Sequence, residues 1–169
     1  MQLRFNESQI RYYACKYLAE HSCYDKPVER IVDDVKGRGY LTKCDLITLS
    51  DWAKNGRNIR QIKCNSDDFV KEITGFALSS DTAERDRICY LRRLNGVGPA
   101  VASAILHWFH KDHYPIWSPP ARNSVGIDSP KWGEWEAYVS FCRCLAKKNK
   151  VNMQTLDRAL WKYSADRRA

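Results

Sequence analysis

The stretch Leu94-Asn95-Gly96-Val97-Gly98-Pro99-Ala100-Val101-Ala102-Ser103-Ala104-Ile105-Leu106 constrains this chain more than any other. Two glycines flanking one valine break a helical pattern, and a proline opens the next. Gly96 and Gly98 allow positive φ and remove side chains where a ligand must approach the backbone. Val97 is expected to plug into the apolar floor of the turn. Pro99 suits a first helical turn, where its missing N–H costs nothing. Ala100, Ala102, Ser103 and Ala104 keep the following helix slim, so neighbouring helices can cross closely. Such a turn presents unpaired N–H groups at a helix N-terminus, where donors and dipole together favour an anion. The competing explanation is an ordinary αα turn with a glycine C-cap.

Helical periodicity runs through almost the whole chain. Asn6 or Ser8 caps a first helix to about Glu20, with Ile10, Tyr13, Tyr17 and Leu18 inward. Pro27 opens a second, Val28 to Lys36, stopped by Gly37 and Gly39. Thr42-x-x-Asp45 reads as a capping box before Leu46, Ile47, Leu49 and Trp52, with Asn55-Gly56 at the far end. A short helix spans Asn58 to Cys64. Ser66-Asp67-Asp68 caps another, with Phe69, Val70, Ile73 and Phe76 inward. Asp81 or Thr82 caps the helix that enters the glycine turn, carrying Ile88, Leu91 and Leu94. After Pro99 the helix runs to about His110. Residues 113–126, with Pro115, Pro119 and Pro120, read as irregular. Ser129 caps a long helix from Pro130 to about Lys147, and Asn152 caps a last one to about Asp166. No alternating strand pattern, repeat or low-complexity linker is evident. An all-α fold follows, with residues 1–169 as a single helical domain.

The 169 residues carry a net charge of +8, unevenly spread. Residues 1–81 hold 13 basic against 12 acidic side chains; residues 82–169 hold 15 against 8. Positive charge gathered beside an anion-binding turn points to nucleic-acid phosphate. No apolar run reaches the roughly 20 residues of a membrane span, and Met1 to Glu7 has no signal-like core. A soluble cytoplasmic protein, nucleoid-associated in a bacterium, and a monomer, is expected. The seven scattered cysteines form no CxxC pair. They read as reduced structural thiols, with Cys15, Cys89 and Cys142 buried.

The run Leu94–Ala102, Leu-x-Gly-Val-Gly-x-x-x-Ala with flanking helices, resembles the helix-hairpin-helix, here about residues 82–110, of the base-excision DNA glycosylase superfamily (HhH-GPD). His113-Tyr114-Pro115-Ile116-Trp117 is similar to the superfamily's loop leading to its catalytic aspartate. Leu49–Asn55 and Leu156–Ser164 look like segments of a small, uncharacterised bacterial branch. The resemblance implies a two-lobed all-α fold and double-stranded DNA as partner, with a damaged or mispaired base flipped into a pocket. It implies phosphate binding by the backbone of Asn95, Gly96, Val97, Gly98, Pro99 and Ala100. It also implies a monovalent cation at the hairpin carbonyls of Leu94 and Val97.

Two positions depart from the superfamily pattern. Its lyase lysine falls on Ala100, so a monofunctional DNA N-glycosylase, a hydrolase leaving an abasic site uncut, is the expectation. Its catalytic aspartate falls on Ser118. A neutral hydroxyl cannot replace a fixed negative charge beside a developing cation, a loss worth about 10²–10³-fold. Either another carboxylate (Asp112, Asp128 or Asp157) takes over, or the substrate needs none, or the chain is a catalytically inactive DNA-binding module that retains the fold. The four-cysteine spacing of an iron–sulfur cluster does not occur, and no cofactor is expected.

Among other constellations, His107, His110, His113 and Asp112 would share a helical face only if the helix outlasted Pro115, so no side-chain metal site is expected. His110 or Lys111 is a candidate backbone contact. Trp52, Trp117 and Trp161 are candidates for a base-stacking pocket, against the alternative that they fill the core. Arg92 and Arg93 are the better phosphate candidates. Arg143, Lys147, Lys148 and Lys150 suit a helix C-terminus without any ligand. Asp157 reads more readily as a structural partner than as a catalyst.

Overall fold

The computed structural model describes residues 1–129 and 131–167. Among these every regular element is helical, as the periodicity predicts, and no helix is long and apolar enough to cross a membrane. The chain forms two compact units, one comprising Cys23–Asp112 and the other Met1–Ser22 with the chain from His113 on.

The Cys23–Asp112 unit holds α2 (Lys26–Arg38), α3 (Lys43–Lys54), α4 (Ile59–Lys63), α5 (Asp67–Leu78), α6 (Glu84–Leu91) and α7 (Pro99–Phe109), α1 (Ile10–His21) belonging to the other unit. Its centre is α7. Val101 to Leu106, Trp108 and Phe109 are all buried, and α2, α3, α5 and α6 pack around that helix. A helix apolar on all sides is a core helix, and the run Ala102-Ser103-Ala104 lets its neighbours approach. The capping box forms as read: Thr42 Oγ accepts from the Asp45 N–H (3.2 Å) and Asp45 Oδ2 accepts from the Thr42 N–H (2.8 Å). Ser66 caps α5 through the Phe69 N–H.

Three expectations for this unit need correction. Gly37 lies inside α2, which ends at Arg38 and is closed by the Gly39 N–H on Val35 O (2.8 Å). Neither Asp81 nor Thr82 caps α6; Ala83 holds the N-cap position. Thr82 Oγ1 instead donates to Phe76 O (2.6 Å), while Arg87 Nη1 donates to Ala77 O and Ser79 O. These side chains satisfy the orphan carbonyls at the end of α5, which outranks capping the next helix. Phe76 is 42% exposed rather than inward.

The other unit holds α1 (Ile10–His21), α8 (Pro119–Ser124), α9 (Trp135–Lys148) and α10 (Met153–Asp166). Asn6 caps a 3₁₀ turn, Glu7–Gln9, that leads into α1. Asn152 caps α10, accepting from the Thr155 N–H at 2.7 Å. The segment read as irregular contains α8, and α9 starts later than read, after a 3₁₀ turn over Trp132–Glu134. The expected start at Pro130 lies outside the described residues. Leu18, expected inward, is 42% exposed.

The packing of α1 on α10 unites this unit. Tyr17 meets Trp161 edge-on at 5.5 Å, and Phe5, Tyr13 and Tyr163 close a second aromatic group. Between the helices Lys162 is buried and paired with Glu20 and with Asp166 (2.7 Å), which also receives Lys16 (2.6 Å). Hydrogen bonds from Lys16 and then Lys162 hold the Asp166 carboxyl below its ordinary value of 3.8. A carboxyl whose pKa is depressed on folding adds stability above its unfolded pKa and loses it as pH falls through the folded one. Thermal unfolding followed from pH 7 downward is therefore expected to show Tm falling as pH drops below about 4. The variant Asp166→Asn is expected to flatten that fall.

Of the three cysteines expected to be buried, only Cys142 is; Cys15 and Cys89 are exposed. On α1 the buried stripe is Ile10, Ala14 and Tyr17, and on α6 it is Arg87, Ile88 and Leu91, so each cysteine lies beside the inward face rather than on it. Burial pushes the Cys142 thiol up, far from its reactive thiolate form.

Candidate functional site

The turn between α6 and α7 is shaped from behind by α4. Asn65, at the end of α4 and buried, grips Asn95 twice: its Oδ1 accepts from the Asn95 N–H (2.8 Å) and its Nδ2 donates to Asn95 O (3.0 Å). The same Nδ2 donates to Ile62 O (2.9 Å). Asn58, at the other end of α4, donates through Nδ2 to Gly96 O (2.7 Å). Neither asparagine signals this role in the sequence, because each acts on backbone 30 or more positions away.

Gly96 sits at φ +80, and a Cβ there would meet Ile62 Cγ1 at 2.9 Å, Asn58 O at 3.0 Å and Ile62 N at 3.1 Å. Glycine is required at this position by both conformation and space. Gly98 differs from the expectation. Its φ is −85, in ordinary extended backbone, and nothing lies within 4 Å of where its Cβ would stand. The protein itself makes no demand for glycine at 98; the open space lies over the start of α7.

Val97 is buried beneath the turn as expected, its N–H donating to Leu94 O at 3.1 Å. Gly98 takes the N-cap position of α7 with no side chain to satisfy the first N–H groups. The amides of Ala100 and Val101 therefore open the helix without intrahelical acceptors, at its positive end. Arg92 and Arg93 are both exposed on the entering side, and the Arg93 guanidinium lies 5.5 Å over the Tyr90 ring. The combination suits a phosphate-sized anion.

At the end of α7 His110 adopts an extended conformation, so His113 leaves the helical face of His107. His110 is buried, and its Nδ1 accepts from the Asp112 N–H at 2.9 Å. Burial, and then the charge of Arg87, lowers its pKa and keeps the ring neutral. Backbone contact by His110 is thereby set aside, while Lys111 is exposed.

The loop before Ser118 belongs to the other unit and is held firmly there. Asp157 is buried on α10, and its Oδ1 accepts from the Ile116 N–H (2.9 Å). Tyr138 donates through its hydroxyl to Ile116 O (3.2 Å), and Arg143 Nε donates to His113 O (2.9 Å). Trp117 is 3% exposed, edge-on to Tyr138 at 5.0 Å and to Trp135 at 6.0 Å, with Arg122 lying 5.2 Å over its ring. Ser118 is partly exposed and caps α8, its Oγ accepting from the Ala121 N–H at 3.3 Å.

The three tryptophans occupy different surroundings. Trp117 is in the cluster just described, whereas Trp161 packs on Tyr17 and His21 in a separate group of the same unit. Trp52 sits in the Cys23–Asp112 unit, edge-on to Trp108 at 5.6 Å, with its indole N–H on Asp25 Oδ1 (3.1 Å). Trp117 and Trp161 thus belong to separate aromatic groups of that unit.

Compared with family models, curated proteins and solved structures, the chain matches none.

Loss of the Asn65 amide leaves backbone groups of the turn unpaired in a dry setting, which costs about 1–3 kcal/mol. Denaturant unfolding of Asn65→Ala and Asn65→Asp is expected to show that loss. The aspartate variant should be the worse of the two, since it sets a carboxylate oxygen against two carbonyls. The variant Asn95→Ala, whose backbone alone is gripped, is expected to stay within about 0.5 kcal/mol of the parent.

Proposed function

We propose that this chain is a double-stranded-DNA-binding protein built on the plan of a monofunctional DNA N-glycosylase of base excision repair, a two-lobed all-α protein with a helix-hairpin-helix. The observation that carries the reading is the turn itself. Its backbone is fixed from behind by Asn58 and Asn65, Gly98 stands open over the start of α7, and Arg92 and Arg93 flank it. Phosphate would be bound by the amides of Gly98 and Ala100, and a monovalent cation by the carbonyls of Leu94 and Val97. A net charge of +8 supports the same partner.

Binding is favoured over excision by what the two candidate catalytic oxygens do. The Ser118 hydroxyl caps α8, and Asp157 holds the Ile116 amide. Ala100 supplies no amine for strand cleavage. A second reading, an active monofunctional glycosylase, draws on the firmness with which Asp157, Tyr138 and Arg143 hold the loop before Ser118, since fixed geometry is what a reacting site needs.

Serine fits the open space at Gly98 and is a better helix N-cap than glycine. The variant Gly98→Ser is therefore expected to keep the parent's Tm while weakening duplex binding about tenfold or more, the worth of one hydrogen bond to a charged group. Parent binding, read by fluorescence anisotropy, should fall linearly in log affinity against log salt. Unchanged affinity in Gly98→Ser would remove the turn from the interface.

Chemistry is tested with duplexes carrying deaminated, oxidised, alkylated or mispaired bases, under single turnover. Aspartate caps helices as well as serine does, so Ser118→Asp keeps α8 and restores the carboxylate. The expected result is binding without excision by the parent, and abasic sites made by Ser118→Asp. Excision by the parent would establish the second reading instead, and a borohydride-trapped adduct would contradict both.

A further inference from the structure

Beside the turn, the Cys23–Asp112 unit carries an aromatic surface that the reading above leaves unused. Phe76 on α5 is 42% exposed, and its ring lies 4.1 Å from that of Tyr90 on α6, tilted by 37°. Tyr90 in turn lies beneath the Arg93 guanidinium, and Arg92 and Arg93 lead directly into Leu94 and the turn. Next to Phe76 in the chain, a Cβ placed on Gly75 would stand 3.6 Å from Tyr40 Cβ. The Tyr40 ring is itself covered by cations, with Lys71 Nζ at 5.9 Å and Arg38 Cζ at 5.6 Å. Two rings in contact, Phe76 on α5 and Tyr90 on α6, thus lead to the turn, with the Arg93 guanidinium over the second of them. Glu72 and Asp86 are the acidic neighbours one turn before Phe76 and Tyr90, and Asp86 is engaged by Arg85 at 3.8 Å.

Aromatic faces alternating with arginine and lysine suit an unpaired nucleic-acid strand, because every base offers a π-face and every linkage a phosphate. A duplex offers only its outer phosphates to such rings, its bases being stacked on each other. We infer that Phe76 and Tyr90 form a stacking surface for an unpaired DNA strand that leaves a duplex held at the adjacent turn. This rests on the duplex-binding reading, which selects DNA as the occupant. The protein would then prefer a junction between paired and unpaired DNA over a fully paired site.

The test is an anisotropy titration with three probes: a blunt duplex, the same duplex with a short oligo(dT) overhang, and that duplex with an oligo(U) overhang. The parent is expected to bind the dT-overhang probe about tenfold more tightly than the blunt one, the scale of one stacked base. The double variant Phe76→Ala/Tyr90→Ala should erase that gain, and Phe76→Ala alone should reduce it while leaving blunt-duplex affinity unchanged. Both side chains are at least partly exposed and alanine favours helices, so an unaltered circular dichroism spectrum is expected. Phe76→Tyr should keep the gain and Phe76→Leu should reduce it, which separates a π-face from mere apolar bulk. The variant Gly98→Ser should weaken blunt and overhang probes by the same factor. An overhang gain that is absent, or that survives in the double variant, would overturn the stacking surface while blunt-duplex binding sensitive to Gly98→Ser preserved the duplex reading. A larger gain with oligo(U) would overturn DNA as the occupant. No binding of any probe would remove the duplex reading and this inference together.

Discussion

The grip of the Asn65 amide on the backbone of Asn95 is the interaction on which the candidate site depends. A turn of seven residues between two helices has too few internal hydrogen bonds to fix its own shape. Asn65 supplies a donor and an acceptor to one residue, as a neighbouring strand would, and Asn58 takes the next carbonyl. With those groups satisfied from the α4 side, the remaining amides at the start of α7 are left for the open side. Gly96 is the steric counterpart of this arrangement, because its missing Cβ lets α4 come close enough for the amides to reach. Gly98 is the open counterpart, since nothing among the described residues lies within 4 Å of where its Cβ would stand.

The other unit shows the same economy around Ser118. The loop from His113 to Ser118 contains one proline and no regular element, yet its backbone is held by a carboxylate, a phenol and a guanidinium from α9 and α10. Asp157 accordingly has a structural duty that explains a buried acid on α10. Ser118 has one as well, since α8 begins with two prolines and has only its cap to order the first turn. A residue that caps a helix can be serine or aspartate with equal ease. Exchange of one for the other at this position therefore changes the charge of the site while leaving the fold intact.

Most of the helical framework was legible from periodicity and capping chemistry, and the reasons are local. Thr42 with Asp45, Ser66, Asn152 and Pro99 each act within one turn of their own position. The failures arise where a side chain works at a distance. Thr82 and Arg87 serve the end of α5 rather than the start of α6, and α8 is made possible by Ser118 within a proline-rich stretch that reads as loop. The glycine turn was legible as a break between two helices, but the two glycines could not be told apart, because the difference lies in what α4 places against one of them. Asn58 and Asn65 were invisible for the same reason. Trp117 was read as a possible pocket wall, and its burial among Trp135 and Tyr138 follows from residues on α9 that no spacing rule connects to it.

The central claim is that the backbone amides at the start of α7 receive a DNA phosphate. A titration of ¹⁵N-labelled protein with a short duplex, followed by amide chemical shifts, tests it most directly. The account predicts the largest changes at Gly96, Gly98, Ala100 and Val101, with Arg92 and Arg93 next, and little movement at Asn58 and Asn65 beyond the contact itself. Binding that perturbs the basic end of α9 around Lys147 and Lys148, and leaves the four turn amides in place, would contradict it.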